Sequence, residues 1–170
     1  MSRSEAVQAN AIDLVLEDLH GAENQLHLDL TRIGERHSAD HEVAHVVVDL
    51  ARWSARHVTR LAEEGTRFGL DLDPRPASTN TVAAGVRRKA SVLTGRRHAP
   101  AVMLIDDLRQ IYGDASLVRL DWTLLEQVAK AVRDTRLLEL ASTCRTETAR
   151  QVTWAESKLK ESAVQALVTP

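Results

Sequence analysis

The chain has 170 residues and a mass of 18.8 kDa, enough to bury a core within one domain, 1–170, without disulfide or metal staples. Apolar residues make up 44%, charged residues 27% and aromatics only 3%, a globular balance too poor in strand formers for an all-β sandwich. The net charge of -2 gives no overall pull toward nucleic acid or membrane, and the single cysteine, Cys144, excludes an intramolecular disulfide and fits a reducing cytoplasm.

Residues 5–33 carry Ile12, Leu16, Leu19, Leu26, Leu30 and Ile33 with Glu23 in step. Alternating steps of four and three predict a helix presenting a bundle seam, with Gly34 as its stop. Ser38 or Asp40 can cap a second helix running to about Gly69, whose stripe is Val43, Val47, Leu50, Ser54, His57, Leu61, Glu64 and Phe68. Pro74 and Pro76 make 71–80 a loop. Residues 81–96 read as a shorter helix or a crossover. A third long helix starts near Pro100, with Leu104, Leu108, Ile111, Ala115, Val118, Trp122, Leu125, Ala129 and Val132 inward. Gly113 weakens that helix by ~1 kcal/mol against alanine without ending it. Asp134 caps the last helix, which runs to about Leu167 and turns Leu137, Leu140, Cys144, Val152, Trp154 and Leu159 inward.

Helices of ~30 residues are ~45 Å long at 1.5 Å per residue. The first and second are joined tightly, as are the third and fourth. The link between the second and third is long enough to cross the length of the bundle, which is the favoured expectation over a simple up-down bundle. No apolar run reaches the ~20 residues of a membrane span. The opening residues MSRSEAVQAN lack an apolar signal core, so the expectation is a cytoplasmic protein.

Three polar residues sit on or beside the seams. Glu23 lies between Leu19 and Leu26, His57 lies between Leu50 and Leu61, and Glu147 follows Cys144 at the edge of the fourth seam. A buried carboxylate must be paired or bind metal to offset its desolvation. Carboxylates and imidazoles meeting inside a four-helix bundle suit non-haem iron or manganese. The favoured reading of these residues alone is a buried polar contact, with Glu23 and His57 paired to each other or to an arginine.

The runs Leu16-Glu-Asp-Leu-His-Gly-Ala-Glu23 and Trp53-Ser-Ala-Arg-His57-Val-Thr-Arg-Leu61 resemble the first two helices of the ferritin-like superfamily. Within it they are most similar to the YciF-like bacterial stress-response proteins, with their L-x-D-x-x-x-A-E and T-x-x-H-V-x-R-L motifs. The resemblance implies an all-α, antiparallel four-helix bundle with a long helical crossover between helices two and three, homodimerisation and an association with stress. It implies metal ligands at Glu23, His57 and Glu147. The family pattern departs elsewhere. Trp53 and Ser54 stand where an acidic ligand is expected, the third helix has no glutamate from Pro100 to Leu125, and Arg150 stands three residues after Glu147 in place of histidine. Three ligands are too few for a two-metal centre, so the expectation is one iron or manganese ion or none. A non-enzymatic helical scaffold is the alternative function.

Two further patterns compete. His41-Glu42-Val43-Ala44-His45 matches the zinc-peptidase spacing, with Glu63 or Glu64 as a third ligand, but no strand edge is present to hold a peptide, and His37, His41 and His45 read more simply as an exposed ridge. Residues 74–105 hold no acid and six bases, Arg75, Arg87, Arg88, Lys89, Arg96 and Arg97. No aromatic residue lies there to stack on bases, so nucleic acid is not the expected partner. Trp53, Trp122 and Trp154 read as core or subunit-interface anchors, and Cys144 as a small buried apolar residue.

Overall fold

A computed structural model describes residues 3–78 and 100–168, with side chains over 11–78 and 101–164. These residues form four long helices: α1 (Arg3–Arg36), α2 (His41–Gly65), α3 (Pro100–Val132) and α4 (Thr135–Val168). The described residues contain no strand. The expected helix at 81–96, and the basic residues from Arg87 to Arg97, lie outside the described residues.

The ends follow the local chemistry. Asp40 caps α2, its Oδ1 accepting from the Val43 amide at 3.1 Å. Asp134 does the same for α4, accepting from Leu137 N at 3.0 Å. Gly34 does not stop α1, which continues to Arg36. Its missing side chain serves packing instead, since a Cβ there would stand 2.9 Å from Val47 Cγ2 on α2. The second helix ends at Gly65, not Gly69. One 3-10 turn, Thr66–Phe68, follows, and Gly69 adopts φ 78, a left-handed conformation that glycine takes without steric cost.

The seams pack much as spaced. Every seam residue from Ile12 to Ile33 is buried, as are those from Val43 to Glu64 and from Leu104 to Ala129. Each fully buried leucine contributes roughly 1.5–3 kcal/mol. Val132 departs from the expectation and is exposed at the helix end, while Phe68, Trp154 and Leu159 are half-buried. Beyond Glu147, α4 turns Thr148, Gln151, Ala155, Lys158 and Ser162 inward, a more polar face than its apolar spacing indicates.

Ion pairs tie the helix ends together. Arg36 and His37, at the end of α1, hold Asp107 near the start of α3 at 2.6 and 2.8 Å. Lys158 near the end of α4 holds Glu42 at the start of α2 at 2.9 Å. At the other end, Arg67 after α2 holds Asp134 at the α3–α4 junction at 2.7 Å. The described residues that follow α2 run beside α1. The Asp73 carbonyl accepts from His20 Nε2, the Pro74 carbonyl accepts from Thr59 Oγ1, and the Ala77 amide donates to Asn24 Oδ1.

Candidate functional site

Glu23, His57 and Glu147 converge. The spacing that keeps Glu23 in the α1 seam and His57 in the α2 seam sets both at the same depth, and each is 0% exposed. His57 Nδ1 lies 2.7 Å from Glu23 Oε1, and His57 Nε2 lies 2.7 Å from Glu147 Oε2. Glu147 sits at the margin with a side chain 26% exposed, and its second oxygen faces the Arg56 guanidinium at 3.5 Å.

The third helix supplies the fourth member. Trp122 Nε1 donates to Glu23 Oε1 at 2.6 Å, and its ring meets the His57 ring edge-on, centroids 5.6 Å apart. Each of the four helices thus gives one polar group to a single connected chain: Trp122, Glu23, His57, Glu147. The sequence reading placed Trp122 in the core but did not join it to the site. The available signal was that a buried indole N–H needs an acceptor, and Glu23 is the buried acid on the neighbouring seam.

Ionised carboxylates can only accept, so with Glu23 and Glu147 both ionised each ring nitrogen of His57 carries a hydrogen and the ring is an imidazolium. Burial of the ring favours its neutral form. The Glu23 charge and the hydrogen bonds that the ring donates to Glu23 and to the neighbouring Cys144 sulfur outweigh it, holding the His57 pKa well above the ordinary imidazole value of 6.5. Cys144 is fully buried, as its spacing indicated, and Arg60 approaches its sulfur at 3.6 Å. One turn along, Gln151 donates to the Leu50 carbonyl and to Ser54 Oγ, each at 3.0 Å.

Glu23 Oε2 is buried with no hydrogen-bond partner among the described residues. It is the one open oxygen at the centre of the site. The other donors a metal would use are engaged: His57 by two carboxylates, Glu147 by His57 and Arg56. Trp122 has an N–H and no lone pair to offer. The described residues hold no group of three or more histidine, cysteine or acidic side chains arranged to bind a metal ion.

The competing motif does not assemble. His41, Glu42 and His45 are exposed, and Glu42 pairs with Lys158. Glu64 lies at the far end of α2 against Arg136 and Arg67, and Glu63 is exposed beside it. His37 is not part of a histidine ridge: it precedes α2 and pairs with Asp107. Arg75, the one described base of the 74–105 segment, closes on Asp73 at 3.0 Å. No helix among the described residues is long and apolar enough to cross a membrane. No protein-family model, curated protein or solved structure matches the chain.

Proposed function

We propose that this chain is a ferritin-like helical-bundle protein of the cytoplasm that acts as a non-enzymatic scaffold. Its central site holds a proton between two carboxylates, at the place where ferritin-like proteins carry metal. The observation that carries this reading is the occupation of both His57 nitrogens by carboxylate oxygens from two other helices, each at 2.7 Å. The ion pairs at the helix ends support the ferritin-like arrangement: α1 antiparallel to α2, α3 antiparallel to α4, and a crossover between α2 and α3. A second copy of the chain is the expected partner of such a scaffold.

As arranged, the donor set fits a proton better than an iron or manganese ion. Two carboxylates, one imidazolium and the adjacent Arg56 are close to balanced in charge. A single ion held by Glu23, His57 and Glu147 is the second reading. Its support is the buried Glu23 Oε2, a hard oxygen acceptor with no hydrogen-bond partner among the described residues. An ion there would compete with the His57 proton.

Metal analysis of untagged protein, followed by the same measurement on Glu23→Ala, separates the two. The scaffold reading expects substoichiometric iron and manganese in both proteins and an unfolding midpoint unmoved by added Mn(II). Stoichiometric metal in the parent, lost in Glu23→Ala, would overturn it.

A further inference from the structure

The third helix is apolar on two faces. One is the inward seam from Leu104 to Ala129. The other points away from the bundle, where Leu117, Leu120 and Leu124 follow one another at steps of three and four and are 63%, 53% and 50% exposed. A bundle helix ordinarily turns polar residues outward, and single exposed leucines are common, but a contiguous stripe of three marks a site of association. One edge of the stripe is acidic. Asp121 stands between Leu117 and Leu124, and Asp18 faces it from α1; burial and the Asp18 charge together raise the Asp121 pKa. Neither acid has a cation in ion-pair reach among the described residues. Glu17 is exposed beside Asp18, and Leu14, one turn earlier on α1, is 60% exposed. The bases of α3 nearest the stripe, Arg119 and Lys130, stand on the opposite edge, and Lys130 is held by Glu126 at 2.7 Å.

We propose that this face binds a basic amphipathic helix of another protein, one that lays an apolar seam along Leu117, Leu120 and Leu124 and sets a lysine or arginine against Asp18 and Asp121. Leucines at this spacing form ridges that a second helix packs between, and three turns of it, ~16 Å, reach from Leu117 to Val128. Apolar contact supplies the affinity, and the acids choose the partner. A neutral or acidic helix would desolvate two like charges further without a counter-charge, whereas one base answers both. An anionic membrane surface would be repelled by the same edge. The proposal takes from the scaffold reading only the expectation of a partner; the surface is argued from its own residues.

Two labelled model peptides test it against the full chain by fluorescence anisotropy. One is built of leucine and lysine and the other of leucine and glutamate, each with its leucines at alternating steps of three and four. The parent binds the lysine peptide at least about tenfold more tightly than the glutamate peptide, and added salt narrows the difference. Leu120→Asp lowers the affinity for the lysine peptide by a similar factor while keeping the helical circular dichroism of the parent. Asp18→Lys combined with Asp121→Lys reverses the order of the two peptides. Binding of neither peptide overturns the proposal, as does equal binding of both or a preference untouched by the charge reversal. A parent that ignores the peptides and sediments as a dimer dissolved by Leu120→Asp, or that floats with neutral lipid vesicles, assigns the stripe to another occupant and overturns it too. Metal content and histidine titration are read without peptide, so the central-site reading and this one can fail separately.

Discussion

His57 and Glu23 meet at 2.7 Å with neither side chain exposed, and the glutamate oxygen they share also takes the Trp122 indole hydrogen at 2.6 Å. One oxygen from α1 is therefore bound to α2 and α3 at once, and the imidazole passes the connection to α4 through Glu147. The site joins all four helices through the His57 ring and the carboxylates on either side of it.

Removing one or the other carboxylate of this chain has unequal cost. Glu23→Ala leaves a buried imidazolium without its inner counter-charge, which costs about 3–5 kcal/mol. Glu147→Ala removes a partner that is partly in water, and solvent takes over much of its role, so the loss is nearer ~1 kcal/mol. Urea unfolding of the two variants, with midpoints compared at constant slope, checks the order.

Trp122→Phe keeps most of the ring volume and deletes the N–H. Glu23 then has only His57 as donor, and the expected loss is on the order of 1–3 kcal/mol for the unsatisfied acceptor. A double-mutant cycle with His57→Phe should give a coupling energy well away from zero, since both residues bond the same oxygen.

The pH dependence follows from the raised pKa of His57. In the unfolded chain the imidazole titrates near its ordinary 6.5; in the folded protein it holds its proton to a higher pH. Its contribution is fully present below 6.5 and is lost as pH rises through the folded value. The groups facing it are Glu23 on α1, Trp122 on α3, Glu147 and Cys144 on α4, and Arg56 and Arg60 of α2 flanking those two. Urea midpoints should fall on the alkaline side of neutrality for the parent and fall much less for His57→Phe.

Burial and the neighbouring Asp18 charge raise the pKa of Asp121. The pair lies across α1 and α3 with no cation in ion-pair reach among the described residues. Asp121→Asn removes the repulsion and should stabilise the bundle at neutral pH by a few tenths of a kcal/mol, discounted for partial exposure. The gain should vanish as pH falls and the parent carboxyl takes up its proton. Thermal unfolding at two pH values measures it.

The helical architecture was legible because apolar residues recur at three and four along α1, α2 and α3, and because Asp40 and Asp134 are oxygen caps at the turns. Glu23 and His57 were legible for the same reason: a charge on an apolar seam has to be answered. Trp122 was hidden because a tryptophan suits an apolar seam anyway, and its N–H direction depends on rotamer and neighbour. The inward face of α4 was misread past Glu147 because Thr148, Gln151 and Lys158 are polar, and apolar spacing carries no mark for a buried glutamine bonding a backbone carbonyl. The first helix runs past Gly34 to Arg36 because the packing uses that glycine's smallness and not its flexibility, and the second gives way to a 3-10 turn before the expected stop at Gly69.

The central claim is that the imidazole is a doubly protonated bridge between two carboxylates. Nitrogen-15 NMR of histidine-labelled protein at pH 7, with His57→Phe to assign the resonance, reads it directly. The account predicts that both His57 ring nitrogens show protonated, imidazolium shifts, and that they keep them well above pH 6.5. A His57 ring that is neutral at pH 7, with one nitrogen bare or moved by added Mn(II), would contradict it.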